Sequence, residues 1–190
     1  MHFVATSPPS DFDNEVRNPG NAWLASNTEG RPKDYWSKCK SALADGFRSL
    51  CAYSAMYEPV GTVDHYHPVD THRHLTYEWS NYRFASGWIN SSKSTKVVLD
   101  PFKVEDGWFE IILPSLQLVL SDTIPQESRS LAEYTLTGLH LRDDERVIRQ
   151  RQKWYSMYQD KKISIEVLDE MAPLIARAIR KQALSNGTQD

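Results

Sequence analysis

The chain has 190 residues, 40% of them hydrophobic and 25% charged, with a formal net charge of −3 and two cysteines. This composition suits one globular domain with a small appendage, and it argues against a basic nucleic-acid coat protein and a disulfide framework. Since the sequence has neither a run of about eighteen apolar residues nor a signal-peptide pattern, we expect a cytoplasmic protein with no membrane segment.

Proline and glycine interrupt every periodic pattern in residues 1–33, so this segment is predicted to be a loop. Apolar residues then recur at intervals of three and four over 34–47, which predicts a helix with an aspartate at its start. Short apolar stretches predict strands at 61–66 and 82–85, separated by a polar loop rich in histidine. Residues 87–95 are predicted to form a helix.

The remainder of the chain changes from strand to helix patterns. Residues 96–113 alternate weakly between apolar and polar, which predicts further strands or a hairpin. Helical periodicity then returns and includes 143–159, and the last predicted helix, 164–183, should break or kink at Pro173. Residues 185–190 are predicted to be a frayed tail.

This order of elements predicts an α+β fold with three segments along the chain. The segments are a loop-rich amino-terminal stretch (1–33), a central domain (34–141) and a helical extension (142–190). The central stretch 61–141 carries six basic and ten acidic residues. That acidic balance is compatible with a site for a divalent metal ion.

The residues suited to chemistry concentrate around the two central strands and the helix after them. Asp64 and Asn90 carry oxygen donors, which suit a hard cation such as Mg²⁺ or Mn²⁺, so both are candidate metal ligands. His65 can take a proton from water and is the candidate general base. Asn81 can hold its loop through backbone hydrogen bonds. Lys93, one helical turn beyond Asn90, can meet a phosphate.

Further polar residues flank this set. Arg73 and Arg83 are candidate phosphate contacts in nucleic-acid binding, with salt bridges as the alternative. His67 is a candidate for an indirect role behind the catalytic residues, with a structural role as the alternative. Together with His72 and His74 it also leaves open a zinc site, although polar loop residues are the simpler interpretation.

Seven residues share the spacing of one nuclease motif: Asp64, His65, Pro68, Asn81, Asn90, Lys93 and Ser94. The set resembles the HNN form of the HNH, or ββα-metal, endonuclease motif. The resemblance implies a ββα-metal core at 62–95 with an N-terminal helix and C-terminal helices packed around it. It implies that His65 is the base, that Asp64 and Asn90 hold one Mg²⁺ ion, and that Asn81 orients the loop. The implied reaction is hydrolysis of phosphodiester bonds in DNA or RNA.

A looser resemblance concerns three further stretches, 77–83, 99–102 and 135–141. They are similar to a bacterial subgroup that includes the HNH partners of ATPases in anti-phage systems of the Septu kind, some linked to retrons. This similarity implies an ATPase partner protein and a role in antiviral defence. The alternative is a catalytically inactive ββα scaffold subunit that binds the ATPase.

Many HNH relatives carry a structural zinc ion held by two Cys-x-x-Cys pairs. In this chain the corresponding positions are Cys51, Ser54, Ser86 and Ile89. A site with one cysteine cannot hold zinc in this way, so no structural zinc is expected. Apolar packing around Ile89 is expected to replace it.

Overall fold

The computed structural model describes residues 2–186, and in this range it is an α+β protein with seven α-helices and two two-stranded antiparallel sheets. This part of the chain forms two compact units. The N-terminal unit comprises Phe3–Ala52 and Glu58–Val97, and the C-terminal unit comprises His2, Tyr53–Tyr57 and the chain from Val98 onward. No helix among these residues combines the length and apolar character that crossing a bilayer requires.

Five elements build the N-terminal unit. Helix α1 spans Asn18–Ser26, and helix α2 spans Lys40–Gly46 after a 3₁₀ turn. Strand β1, Thr62–His65, pairs antiparallel with strand β2, Tyr82–Ala85, and helix α3, Gly87–Lys93, follows directly. The two strands and the helix after them confirm the elements predicted for this part of the chain.

The β1–β2 ribbon is stabilised by aromatic packing. Two strands alone would be marginally stable in water. Tyr82 and Phe84 of β2 are almost completely buried. Phe12 contacts Tyr82 and Trp79 edge to face, with ring centroids 6.1 and 5.5 Å apart. The ribbon is thus anchored by a segment that lies about fifty residues earlier in the chain.

The prediction of a loop over 1–33 is wrong for its central part, which forms a π-helical turn at Asp13–Arg17 and then α1. Pro19 lies in the first turn of α1, where a proline is tolerated. Gly20 is buried, and its α-carbon faces the ring of Tyr77. The two residues that suggested a loop therefore serve a helix start and a close helix contact.

Substitution of Gly20 by alanine is expected to destabilise the protein by about 1–3 kcal/mol, as overpacking does. The new Cβ would lie 2.3 Å from Cγ of Tyr77, and Tyr77 is fully buried. Urea unfolding measures the change. Gly87→Ala is the control, because no atom lies within 4 Å of its Cβ position. Equal stabilities of the two variants would contradict the expectation.

The C-terminal unit contains the second sheet and four helices. Its elements are β3 Phe109–Ile112, β4 Gln117–Leu120, α4 Gln126–Gly138, α5 Glu145–Gln159, α6 Ile165–Met171 and α7 Pro173–Asn186. Within 96–113, where further strands or a hairpin were predicted, only Phe109–Ile112 forms a strand, and its partner Gln117–Leu120 lies beyond that range. The predicted break at Pro173 is confirmed, because α7 begins there. Residues 185 and 186 belong to α7, and the rest of the predicted tail lies outside the described residues.

Residues 98–141 belong to the same unit as the C-terminal helices, although the sequence places a boundary after residue 141. The buried guanidinium of Arg151 in α5 gives one reason, because it donates to the carbonyl oxygens of Leu116, Leu141 and Arg142 at 3.0, 2.7 and 3.0 Å. Burial lowers the pKa of Arg151 to about 10. A buried cation with three such acceptors ties α5 to the preceding segment.

Candidate active site

Helix α3 lies against β1 and attaches to it on either side of Asp64. The Asn90 side-chain nitrogen is 3.4 Å from the carbonyl oxygen of Val63, and the Lys93 ammonium donates to the carbonyl oxygen of His65 at 2.8 Å. Both contacts arise because Asn90 and Lys93, one turn apart, face the same strand. The fold therefore brings together Asp64, His65, Asn90 and Lys93.

The orientation of His65 is set by a backbone carbonyl. Its Nε2 lies 2.8 Å from the carbonyl oxygen of Thr76. Since a carbonyl oxygen can only accept, Nε2 carries the hydrogen, and in the neutral ring Nδ1 keeps the lone pair. The rings of Trp36 and Tyr82 contact the imidazole edge to face at 4.8 and 5.2 Å.

Burial lowers the pKa of His65 below its ordinary value of 6.5, while the hydrogen bond to Thr76 and the charge of Asp64 act in the opposite direction. The ring is therefore held neutral at a pH where an exposed histidine is partly protonated. A neutral imidazole with a lone pair on Nδ1 is chemically able to accept a proton from water.

Asn81 ties together the loop between β1 and β2. Its Oδ1 accepts a hydrogen bond from the backbone N–H of His67 at 2.7 Å. Its Nδ2 donates to the carbonyl oxygens of His67 and Leu75, at 3.1 and 3.2 Å. The amide thus connects both ends of the segment before Thr76, whose carbonyl orients His65.

A buried ion pair joins the strand to the helix. The Lys93 ammonium lies 3.0 Å from Oδ1 of Asp64, and the two side chains are 0% and 3% exposed. In this arrangement the ammonium faces the protein interior rather than solvent. The predicted phosphate contact of Lys93 stays a prediction, and it requires that the ammonium leaves the carboxylate.

The two arginines predicted to contact phosphates make hydrogen bonds within the protein. The buried Arg83 donates to the carbonyl oxygens of Ser80 and Tyr82, both at 2.8 Å, and lies over the ring of Tyr66 at 5.1 Å. Arg73 donates to backbone carbonyls of the segment 27–30. Their phosphate contacts stay predictions, and these bonds are structural.

The three histidines of the loop lie near one another with their rings tilted by 39° and 46°. Ring centroids of His67 and His72 lie 4.8 Å apart, and those of His72 and His74 lie 6.3 Å apart. Within residues 2–186, no three His, Cys, Asp or Glu side chains converge to hold a metal ion. Their role as polar loop residues stays a prediction.

The four positions that correspond to zinc-binding cysteines in the HNH motif are all buried: Cys51, Ser54, Ser86 and Ile89. The backbone N–H of Ser86 lies 3.4 Å from the sulfur of Cys51, and Cys51 is almost completely buried. Ile89 and Phe84 are each 1% exposed. Buried apolar side chains therefore surround the start of α3, where the sequence predicted apolar packing around Ile89.

A cleft of about 620 Å³ opens beside His65 and Asn90. Its lining also includes Trp36, Arg31 and Asp70. Sequence reasoning missed these three as residues of the site. Trp36 was part of a helical apolar pattern, and no spacing rule links residue 31 to residue 65.

The donor chemistry at Asp64 and Asn90 fits a hard divalent cation. A carboxylate and an amide oxygen are donors that Mg²⁺ and Mn²⁺ accept. The carboxylate of Asp64 is buried, and the Lys93 ammonium already balances its charge. A bound metal ion would share this carboxylate with Lys93 or replace its ammonium.

No protein-family model matches the chain, and a comparison with curated protein sequences finds no match. The class of protein must therefore be inferred from the motif residues and their geometry.

Proposed function

We propose that this chain is an Mg²⁺- or Mn²⁺-dependent HNH endonuclease that hydrolyses phosphodiester bonds in nucleic acid. The observation that carries the proposal is the setting of His65. It follows Asp64 directly on β1, its Nε2 is held by the Thr76 carbonyl, and it lines a cleft together with Asn90. The order β1, β2, α3 supports a ββα-metal core of the kind that the motif implies.

The proposed chemistry follows from the atoms that each residue presents. His65 accepts a proton from the attacking water at Nδ1, and the Thr76 carbonyl keeps the ring in the required tautomer. Asn81 fixes the loop that supplies this carbonyl. Asp64 and Asn90 would hold the divalent cation, which when bound stabilises negative charge on the scissile phosphate and the leaving oxygen.

An ATPase partner protein and a role in anti-phage defence are part of the proposal. They depend on the looser similarity of residues 77–83, 99–102 and 135–141 to HNH subunits of Septu-type and retron-associated systems. The test is co-purification of tagged chain with the ATPase encoded beside it, followed by nuclease assays with and without ATP. Separate elution of the two proteins under both conditions would contradict the partnership.

The ion pair between Lys93 and Asp64 favours a second candidate, a catalytically inactive ββα scaffold. It neutralises the carboxylate that would otherwise hold a cation. A scaffold needs the pair for stability alone and binds no metal at Asp64. Metal binding therefore separates the two candidates.

Mn²⁺ is expected to bind the wild-type protein, and Asn90→Ala is expected to weaken that binding by about tenfold or more, since even residues behind a ligand have effects of this size. Asn90 is chosen because its substitution leaves the ion pair in place. Isothermal titration calorimetry measures the affinity. The control is Ser91→Ala, because Ser91 is exposed and bonds only the carbonyl of Gly87. Equal affinities of wild type and Asn90→Ala would count against the site.

A further inference from the structure

A phosphate at the cleft beside His65 requires a cation whose hydrogen-bond donors face solvent. The three cations that the sequence suggested have other partners. Lys93 pairs with Asp64, while Arg83 and Arg73 donate to backbone carbonyls. The source of positive charge for substrate binding has to be found elsewhere in the cleft.

Arg31 lines the same cleft as His65 and Asn90, and its side chain is exposed. Among the residues that the structure describes, none forms a hydrogen bond, an ion pair or a ring contact with it. Its guanidinium therefore keeps all of its donors for a ligand. A guanidinium matches two oxygens of a phosphate at once, which an ammonium does not.

The segment that carries Arg31 is braced by Arg73. The guanidinium of Arg73 donates to the carbonyl oxygens of Asn27 and Gly30, both at 2.8 Å, and more weakly to Glu29 at 3.4 Å. It also lies 5.6 Å over the ring of Trp23 in α1. These contacts fix the backbone immediately before Arg31. Arg31 therefore loses less conformational entropy when it binds a phosphate.

We propose that Arg31 binds a phosphate of the nucleic-acid backbone beside the scissile phosphodiester, and that Arg73 is its positioning residue. The assignment rests on the proposed nuclease function, because it places the substrate in the cleft that contains His65. Asp70 is the one carboxylate in the described lining, and it opposes phosphate binding. The ligand of Arg31 is a phosphodiester strand. Because the charge of Asp70 repels that strand, its removal should strengthen binding of the strand.

The test measures binding of fluorescent DNA and RNA oligonucleotides by anisotropy in a His65→Ala background, where no cleavage interferes. Arg31→Ala is expected to weaken binding about tenfold and to reduce the slope of log affinity against log salt by about one. Arg31→Lys should restore part of the affinity, and Asp70→Asn should raise it. Lys33→Ala is the matched control, since Lys33 lies two residues away and does not line the cleft.

The positioning role of Arg73 is tested by a double-variant cycle. Arg73→Gln is expected to weaken binding in the His65→Ala protein. It should have no further effect when Arg31→Ala is also present, because Arg73 acts through Arg31. Its effect on the unfolding temperature should be the same in both backgrounds. Additive losses of binding would mean that Arg73 contacts the substrate itself, and would overturn the positioning role.

The outcomes separate this proposal from the function on which it rests. If wild type cleaves and Arg31→Ala leaves the affinity and salt slope of the His65→Ala protein unchanged, the assignment of the phosphate site to Arg31 is wrong while the nuclease proposal stands. If wild type neither binds nor cleaves any oligonucleotide with Mn²⁺, the nuclease proposal fails and the assignment of Arg31 fails with it.

Discussion

Replacement of His65 by alanine is expected to lower the rate of phosphodiester cleavage by about 10²–10⁴-fold, the usual contribution of a general base. The physical reason is that the Nδ1 lone pair of an oriented, neutral imidazole is lost. The measurement is single-turnover cleavage of a labelled oligonucleotide by purified protein with Mg²⁺. His74→Ala is the control, because His74 is an exposed residue of the same loop.

Added imidazole makes the test of His65 sharper. The vacated space lies between the rings of Trp36 and Tyr82 and beside the Thr76 carbonyl, which can orient an imidazole molecule as it orients the side chain. We expect millimolar imidazole to restore part of the rate to His65→Ala and to leave wild type unchanged. A His65→Ala protein that cleaves at the wild-type rate would show that another group is the base.

The second large effect is expected for Lys93→Met, which should lower the free energy of unfolding by about 3–5 kcal/mol, as removal of one partner of a buried ion pair does. The reason is that the buried carboxylate of Asp64 would lose the ammonium that lies 3.0 Å from its Oδ1. Urea unfolding in EDTA measures the change. Lys96→Met is the control, since among residues 2–186 the ammonium of Lys96 bonds a backbone carbonyl, that of Ser92, and no carboxylate.

Two further measurements connect this loss of stability to the metal site. The double variant Asp64→Asn/Lys93→Met should recover most of the stability, because both charges of the buried pair are removed together. Mn²⁺ should raise the unfolding temperature of Lys93→Met more than that of wild type, since the ammonium no longer competes for Asp64. Equal metal-induced shifts in both proteins would show that the ion does not use this carboxylate.

Local patterns predicted the elements around the site but missed the first helix. The strands β1 and β2 and the break at Pro173 depend on signals that a few neighbouring residues carry. Helix α1 was missed because a proline and a glycine suggest a loop when seen alone. Gly20 is needed there because Tyr77, more than fifty residues later, packs on its α-carbon.

The members of the candidate site were predicted from their spacing, while their partners were not. A side chain at position 93 can face a phosphate or a carboxylate, and only the packing of α3 on β1 places its ammonium on Asp64. The same limit applies to Arg31, which lines the cleft, and to Arg73, which holds the segment before it, because both placements depend on contacts between distant segments. Sequence spacing within one motif carries no information about such contacts.

The carbonyl oxygen of Thr76 accepts hydrogen bonds from both His65 and the hydroxyl of Tyr82, at 2.8 Å each. The group that selects the histidine tautomer therefore belongs to the main chain. Alanine scanning cannot remove it, and a survey of side-chain variation would overlook it. Only a change to the peptide unit itself, such as an ester linkage after residue 76 made by chemical synthesis, would weaken this acceptor and reveal its contribution.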